Sequence, residues 1–383
     1  MKRSVIAIVL AFFVLSPVLA QEKKEIKAIQ SSAENIEQKG SYTPSFKPDE
    51  SKKAPKNIIL MIGDGMSPIS VAAAMFINGN ELTMTNLHSI GQVRTQSANS
   101  FVTDSAASAT AYATGTKTNN GSLGVGSDKA PLPNIPEKVS GLGIACGVVT
   151  TDQVTGATPG AFYAHQPSRK MVPEIWGDLA LSKLTFVAGG SNSAYKEVKA
   201  ETRAAIENEF TVVNTPDDSR IADSKRLVFL PSTKTFATDA PEQYLPATTE
   251  MAIDYLSKHA AKGKGFFLMV EGSRIDGGGH GNSADKLVKE ILYFDKAVEA
   301  AVKFAEKDGN TLVLVTADHE TGGVSLDGKG SKIGEKIVCN FSTRSHSGMP
   351  VMIYAYGPHS RDFSCVQENS DVSNKICKLL GGK

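Results

Sequence analysis

Net charge is nearly absent from this 383-residue chain: 41 Lys and Arg face 40 Asp and Glu, leaving +1. A polyanion-binding protein normally carries a basic excess, so nucleic-acid-specific binding is excluded as the main activity. Aromatic residues are sparse at 7%, with a single Trp. The four cysteines (Cys146, Cys339, Cys365 and Cys377) form no Cys-x-x-Cys, which argues against a thiolate zinc site or redox dithiol. Past residue 20 no run approaches the roughly 20 apolar residues of a membrane span, so stable membrane insertion is not expected. No internal repeat is visible, and 41% hydrophobic residues with 34 Gly describe an ordinary globular chain, which excludes collagen, coiled coil and wholesale disorder.

Residues 1–20 place Lys2 and Arg3 before the apolar run Val5 to Leu15, then Ser16, Pro17 and Val18-Leu19-Ala20. That is the layout of a secretory signal, with Gln21 as the mature start, and it implies export to the periplasm or the extracellular space. Removing Lys2 and Arg3 takes the charge from +1 to −1. Export permits disulfides. Cys146 lies in the apolar run Ile144 to Val149 and reads as a small buried hydrophobe, whereas Cys365 and Cys377 flank a predicted C-terminal helix and are the favoured pair, although spacing alone leaves three pairings open.

Residues 21–56 mix Lys, Glu, Ser and Gln with three prolines and read as a charged, flexible arm or linker. Residues 57–383 are expected to form a single folded domain. Strand-like runs at Ile58–Ile62, Gly143–Val149, Phe186–Ala188, Leu227–Leu230, Phe266–Val270, Thr311–Val315 and Val351–Tyr354 alternate with helical stretches at 103–114, 246–261, 283–307 and 370–380. Continuous apolar strands are buried on both faces, so the expected fold is α/β, a three-layer α/β/α arrangement around a mostly parallel sheet.

In such sheets the ligand crevice lies beyond the carboxyl ends of the strands, and chemistry-bearing residues collect there. Asp64 follows one strand, Glu271 ends another, Asp318-His319 follow a third, and Asp276 and His280 lie in an adjoining loop with His346 in a further one. Converging carboxylates repel one another unless cations lie between them, and mixed Asp/His sets are zinc ligands by type. A single Asp after a strand is ordinarily a turn former or helix cap; it is the set that points to metal. His88, His259 and His359 stand outside it. Asp104-Ser105-Ala106 opens the small-residue stretch Ala106 to Ala111, so Ser105 is either a helix cap or a nucleophile at a helix N-terminus. No Gly-x-Ser-x-Gly surrounds it, which favours metal over a histidine base as its activator. Arg169, downstream of Ala157-Thr158-Pro159, offers a fork that matches two phosphate oxygens.

Taken in order, Gly63-Asp64-Gly65-Met66, Thr103-Asp104-Ser105-Ala106-Ala107-Ser108-Ala109-Thr110-Ala111, Ala157-Thr158-Pro159, Glu271-Gly272-Ser273-x-Ile275-Asp276, Thr316-Ala317-Asp318-His319-Glu320-Thr321-Gly322-Gly323 and His346-Ser347-Gly348 resemble the successive motifs of the alkaline phosphatases. The resemblance implies a secreted phosphomonoesterase with two Zn2+ and one Mg2+, acting on phosphate monoesters and releasing inorganic phosphate through a phosphoserine intermediate on Ser105. It implies Asp276, His280 and His346 at the first zinc; Asp64, Asp318, His319 and Ser105 at the second; and Asp64, Thr158 and Glu271 at magnesium. Arg169 would clamp phosphate, with Asp104 orienting it and lining the substrate site.

Family members are usually homodimers, which nothing in the composition requires. Sulfatases differ at the nucleophile, where x-Pro-x-Arg follows, and phosphodiesterases of this superfamily generally lack the third metal site and the arginine. A metal- or phosphate-binding protein without turnover would have no need of Ser105. Two departures from the family pattern stand out. Gly156 replaces a common Asp or His two residues before Thr158, and Gly277 replaces a common Lys, His or Trp after Asp276. Unless a neighbour fills these places, magnesium and phosphate are expected to bind more weakly and the loop around Gly277-Gly278-Gly279 to be mobile.

Overall fold

The computed structural model describes residues 28–190, 192–231 and 240–382. The expected signal segment 1–20 lies outside the described residues. Ten strands form the central sheet, in the spatial order Val366–Glu368, Ser89–Arg94, Val351–Tyr356, Thr311–Thr316, Asn57–Gly63, Phe266–Gly272, Ala145–Thr150, Phe186–Ala188, Leu227–Phe229, Thr211–Val213. Only Val351–Tyr356 runs against the others. The three central strands are buried along their whole length, as their unbroken apolar character requires.

Side-chain alternation along one strand shows that both faces are covered. Phe266 packs its ring 6.0 Å from Phe304 of the helix Ala284–Asp308, while the next residue, Phe267, points the other way and stacks 5.8 Å from Phe162. Ala284–Asp308 and Ala240–His259 pack on each other along the first face. On the second, the helix Ser105–Thr114 is buried at all ten positions, packed against the C-terminal helix Asn369–Leu379. Its Ala and Ser side chains are what allow a helix to be enclosed so closely, and Gly115 at φ 78° ends it in the left-handed conformation.

From residue 28 onward the structure corrects the expected arm; residues 21–27 lie outside the described residues. Ile29–Glu34 is a strand that pairs antiparallel with Lys336–Phe341, which in turn pairs with Val324–Lys332 to form a separate three-stranded sheet. The segment after it is also fastened: Ser45 N–H donates to Glu306 (2.8 Å), Tyr356 Oη donates to the Ser45 carbonyl (2.7 Å), and Asp49 accepts from Gly357 N–H (2.6 Å). Backbone pairing, with Ala33 as the one fully buried apolar side chain of the strand, does here what composition could not reveal. Ser89–Arg94 is likewise a strand held by pairing, since Ser-Ile-Gly-Gln-Val-Arg carries too little apolar character to read as a sheet strand.

The favoured Cys365–Cys377 bridge is not formed. All four cysteines are free thiols; Cys377 faces inward from its helix and Cys365 is exposed. Cys146 is buried, as expected of a small hydrophobe, and burial raises its thiol pKa far above the usual value.

The helix Ala284–Asp308 is keyed into the structure by Asp295, a buried carboxylate that accepts the N–H groups of Thr83 (2.8 Å) and Met84 (2.9 Å). Asp295→Ala leaves both donors buried and unpaired. It is expected to cost about 2–4 kcal/mol in a denaturant-unfolding measurement, with Asp295→Asn, which keeps one acceptor, costing clearly less.

Candidate active site

Nearly every candidate residue comes to one end of the sheet. Asp64 follows the strand Asn57–Gly63 through a turn in which Gly65 has φ +73°, and a Cβ at Gly65 would lie 2.8 Å from Asp276 Cα. This glycine is needed both for its conformation and for that approach. Asp276 and His280 occupy a short helix, Arg274–His280, rather than the mobile loop expected from the three glycines. Gly278 and Gly279 are buried, and Cβ atoms there would come 2.7 Å from the backbones of Leu287 and Thr321. The glycines permit close packing.

Two clusters of potential ligand atoms result, each with its atoms within 4.8 Å of one another: Asp276, His280 and His346; and Asp64, Asp318 and His319. Each imidazole is aimed by a hydrogen bond on its far nitrogen. His280 Nδ1 meets the Arg344 carbonyl at 2.6 Å and His346 Nδ1 the Thr103 carbonyl at 2.9 Å, which leaves both Nε2 atoms facing Asp276 at 3.2 and 3.7 Å. His319 Nδ1 lies 3.2 Å from Thr321 Oγ1, and its Nε2 is 3.2 Å from Asp318 and 3.5 Å from Asp64. Burial, with the neighbouring His346 adding to it, lowers the His319 pKa to about 3, so the ring is neutral and free to donate its lone pair.

The donor set fits cations. Asp64 Oδ1, Asp318 Oδ2 and Thr158 Oγ1 are buried with no hydrogen-bond partner, a costly condition unless an ion satisfies them. Asp318 uses its other oxygen to accept from Gly65 N–H (3.1 Å) and His319 N–H (2.9 Å), so one oxygen holds the turn and the other is left bare. Burial, then repulsion from Asp318, Asp276 and Glu271, pushes Asp64 well above the carboxylate range. Glu271 rises to about 8, through burial first and the charge of Asp152 second. An oxygen-only group of Asp64, Thr158 and Glu271 suits a hard cation such as magnesium, and the two imidazole-bearing clusters suit zinc.

Ser105 stands at the first position of its helix, and the cap is Asp104, whose Oδ1 accepts the Ala107 N–H at 3.0 Å. The capping role considered for Ser105 is therefore filled by its neighbour, and the hydroxyl is left to face the site, 3.1 Å from His319 Nε2. Asp104 Oδ2 accepts from Gly121 N–H (3.0 Å) and from Arg169 Nη1 (3.4 Å), so the same carboxylate caps the helix and orients the guanidinium. His259 is remote in role: its two nitrogens meet the Tyr255 and Ser224 carbonyls.

Four residues that sequence reasoning gave no role complete the arrangement. Thr321 donates to Asp276 Oδ1 (2.5 Å), and Glu320 ties the His319 segment to Ser347 in a two-residue antiparallel ladder that brings His319 and His346 into stacking contact at 3.6 Å. Both lie in a motif already singled out. The other two occupy the spaces at the departing glycines, and no sequence signal marks them. Lys286 Nζ lies 2.7 Å from where a Gly277 Cβ would be, and Asp152 Oδ2 lies 2.4 Å from where a Gly156 Cβ would be. The space beside Gly277 is thus occupied by an ammonium from the first turn of the next helix.

Comparison with known proteins identifies the family. The alkaline phosphatase of Escherichia coli (strain K12) is 30% identical over an alignment covering 100% of both chains, and alkaline phosphatase 3 of Bacillus subtilis (strain 168) is 33% identical over 85% of this chain and 89% of its own. The structure of alkaline phosphatase from the Antarctic bacterium TAB5 superposes with a TM-score of 0.78 at 36% identity, covering 86% of this chain and 99% of that one. A variant of the TAB5 enzyme with Mg bound in its M3 site scores 0.79 at 37% identity over the same coverage. With the alkaline phosphatase family profile matching residues 55–185 and 228–340, the chain belongs to the alkaline phosphatase family and is a phosphatase enzyme.

Proposed function

We propose that the protein hydrolyses phosphate monoesters through a phosphoserine on Ser105, with two zinc ions and one magnesium as its cofactors. The observation that carries this reading is the bare, buried oxygen set of Asp64, Asp318 and Thr158 lying in one site with the Ser105 hydroxyl. Asp276, His280 and His346 would hold one zinc; Asp64, Asp318, His319 and Ser105 the other; Asp64, Thr158 and Glu271 the magnesium. The magnesium-bound TAB5 variant supports the third assignment by analogy. Bound there, the ions supply positive charge that lowers the pKa of the serine hydroxyl and of water and neutralises the departing oxygen.

Ser105 attacks phosphorus in line, forming the Ser105 Oγ–P bond as the ester oxygen leaves. Arg169, held by Asp104, receives two non-bridging oxygens and fixes the phosphoryl group for that displacement. Water then attacks the phosphoserine, the Oγ–P bond breaks, and phosphate and free Ser105 result. Asp318, Thr321 and Glu320 keep the imidazoles and carboxylates in place throughout. The leader-like residues 1–20 support an exported, periplasmic or extracellular enzyme. Among the described residues no helix is long and apolar enough to cross a membrane.

Ser105→Ala is expected to lower turnover of a chromogenic phosphomonoester by roughly three orders of magnitude or more and to abolish acid-trapped labelled phosphate on the peptide carrying residue 105. Labelling of another residue would refute the assignment. His280→Ala is expected to lose zinc and activity together, while His259→Ala keeps both, as read by metal analysis alongside the assay; chelation should remove activity and zinc restore it better than magnesium alone.

Metal binding is also expected to release protons. The folded apoenzyme holds Glu271 protonated up to about pH 8, so an ion entering its site competes with that proton. Apparent magnesium affinity therefore rises with pH up to about 8 and levels off above it. Calorimetric titrations in buffers of different ionisation enthalpy measure the proton count directly.

A further inference from the structure

The glycine at position 156 has no conformational reason to be glycine. Its φ of −56° and ψ of 162° are open to any residue. What excludes a side chain is its surroundings: a Cβ at Gly156 would lie 2.4 Å from Asp152 Oδ2, 3.2 Å from its Cγ and 2.9 Å from the Gln153 carbonyl oxygen. Aspartate at 152 and a side chain at 156 cannot share this space without movement.

Asp152 is also built into the wall of the site. It follows the strand Ala145–Thr150, and its N–H donates to Thr150 Oγ1 at 2.8 Å. The same hydroxyl donates to Glu271 Oε2, so a single threonine joins the Asp152 backbone to the Glu271 carboxylate. A second stitch, Thr151 N–H to the Glu271 carbonyl at 3.2 Å, fixes the two strand ends side by side, and Gly190 N–H holds the Asp152 carbonyl at 2.7 Å. The Asp152 charge is felt at Glu271; burial raises the pKa of Asp152 itself, with the Gln153 N–H and then the Arg169 and Arg274 guanidinium groups opposing that rise. The Asp152 carboxylate thus packs against Gly156, two residues before Thr158, while its backbone is tied through Thr150 to Glu271.

Resting on the third-site reading above, we propose that Asp152 is the positioning residue of the magnesium site, accepting hydrogen bonds from the water molecules that complete the ion's shell and so replacing a side chain absent at position 156. Magnesium keeps several waters when only three protein groups, here Asp64, Thr158 and Glu271, reach it. Those waters need oriented acceptors, and loss of such a partner commonly costs 10- to 100-fold in metal affinity. Asp152 contacts the waters rather than the ion, so the zinc clusters do not depend on it.

The test is magnesium titration by calorimetry of the full-length zinc-loaded enzyme, with zinc content by mass spectrometry and thermal unfolding as parallel readouts. Asp152→Asn is expected to raise the magnesium Kd about 10- to 100-fold while leaving zinc content and the unfolding temperature of the zinc form unchanged. Gly156→Asp should also weaken magnesium binding, because a Cβ there meets both the Asp152 carboxylate and the Gln153 carbonyl. Glu271→Gln separates the two claims. If it loses magnesium and Asp152→Asn binds as the wild type does, the third site stands and the role of Asp152 is overturned. Equal loss of zinc and magnesium in Asp152→Asn would also overturn it, showing a general support of the fold. A wild-type enzyme that binds no magnesium removes the third site and this proposal with it.

Discussion

Mutual repulsion among buried carboxylates is the constraint around which this protein is built. Asp64, Asp318 and Glu271 all sit at the carboxyl ends of adjacent buried strands, and each is pushed towards protonation by burial and by its neighbours. Two like charges about 4 Å apart repel by about 4 kcal/mol even at an effective dielectric near 20. A fold does not gather such groups for stability. They become an asset when cations lie among them, which is why the bare oxygens of Asp64 and Asp318 are the most informative atoms in the structure.

The scaffold imposes this crowding through rigid elements. Continuous apolar strands at Asn57–Gly63, Phe266–Gly272 and Thr311–Thr316 fix where three acidic residues emerge. Tight approaches at Gly65, Gly278 and Gly279 let the Asp276 helix press against the turns beside it. The nucleophile arrives on a helix of small residues enclosed between sheet and C-terminal helix, tied to the site by Ser108 Oγ donating to the Asp318 carbonyl (2.7 Å) and Tyr112 Oη donating to that of Ala317 (2.9 Å). Several side chains serve twice. Asp104 caps the helix and aims Arg169, while Asp318 closes a turn with one oxygen and leaves the other for an ion.

Much of this was legible in the residues themselves. The apolar runs predicted seven sheet strands because burial on both faces demands unbroken hydrophobicity, and the strand-end positions of Asp64, Glu271 and Asp318 followed from the same pattern. What escaped notice depends on pairing or packing without apolar character. The strand Ile29–Glu34 is held by its backbone ladder, so its composition read as a free arm. Cys365 and Cys377, twelve positions apart, read as a pair by spacing, yet Cys377 faces inward from its helix while Cys365, which precedes that helix, is exposed.

The two departing glycines mark the boundary most sharply. Sequence determined that the residues at 156 and 277 have no side chains, because that is a matter of local chemistry. Only the tertiary structure decided what stands in their place: Asp152, four residues earlier across a turn, and Lys286, nine residues later on the next helix. Occupied volume is a property of the folded chain. A side chain fills whatever space its neighbours leave, and neither the shape of that space nor the direction from which it is filled is written in the residues that border it.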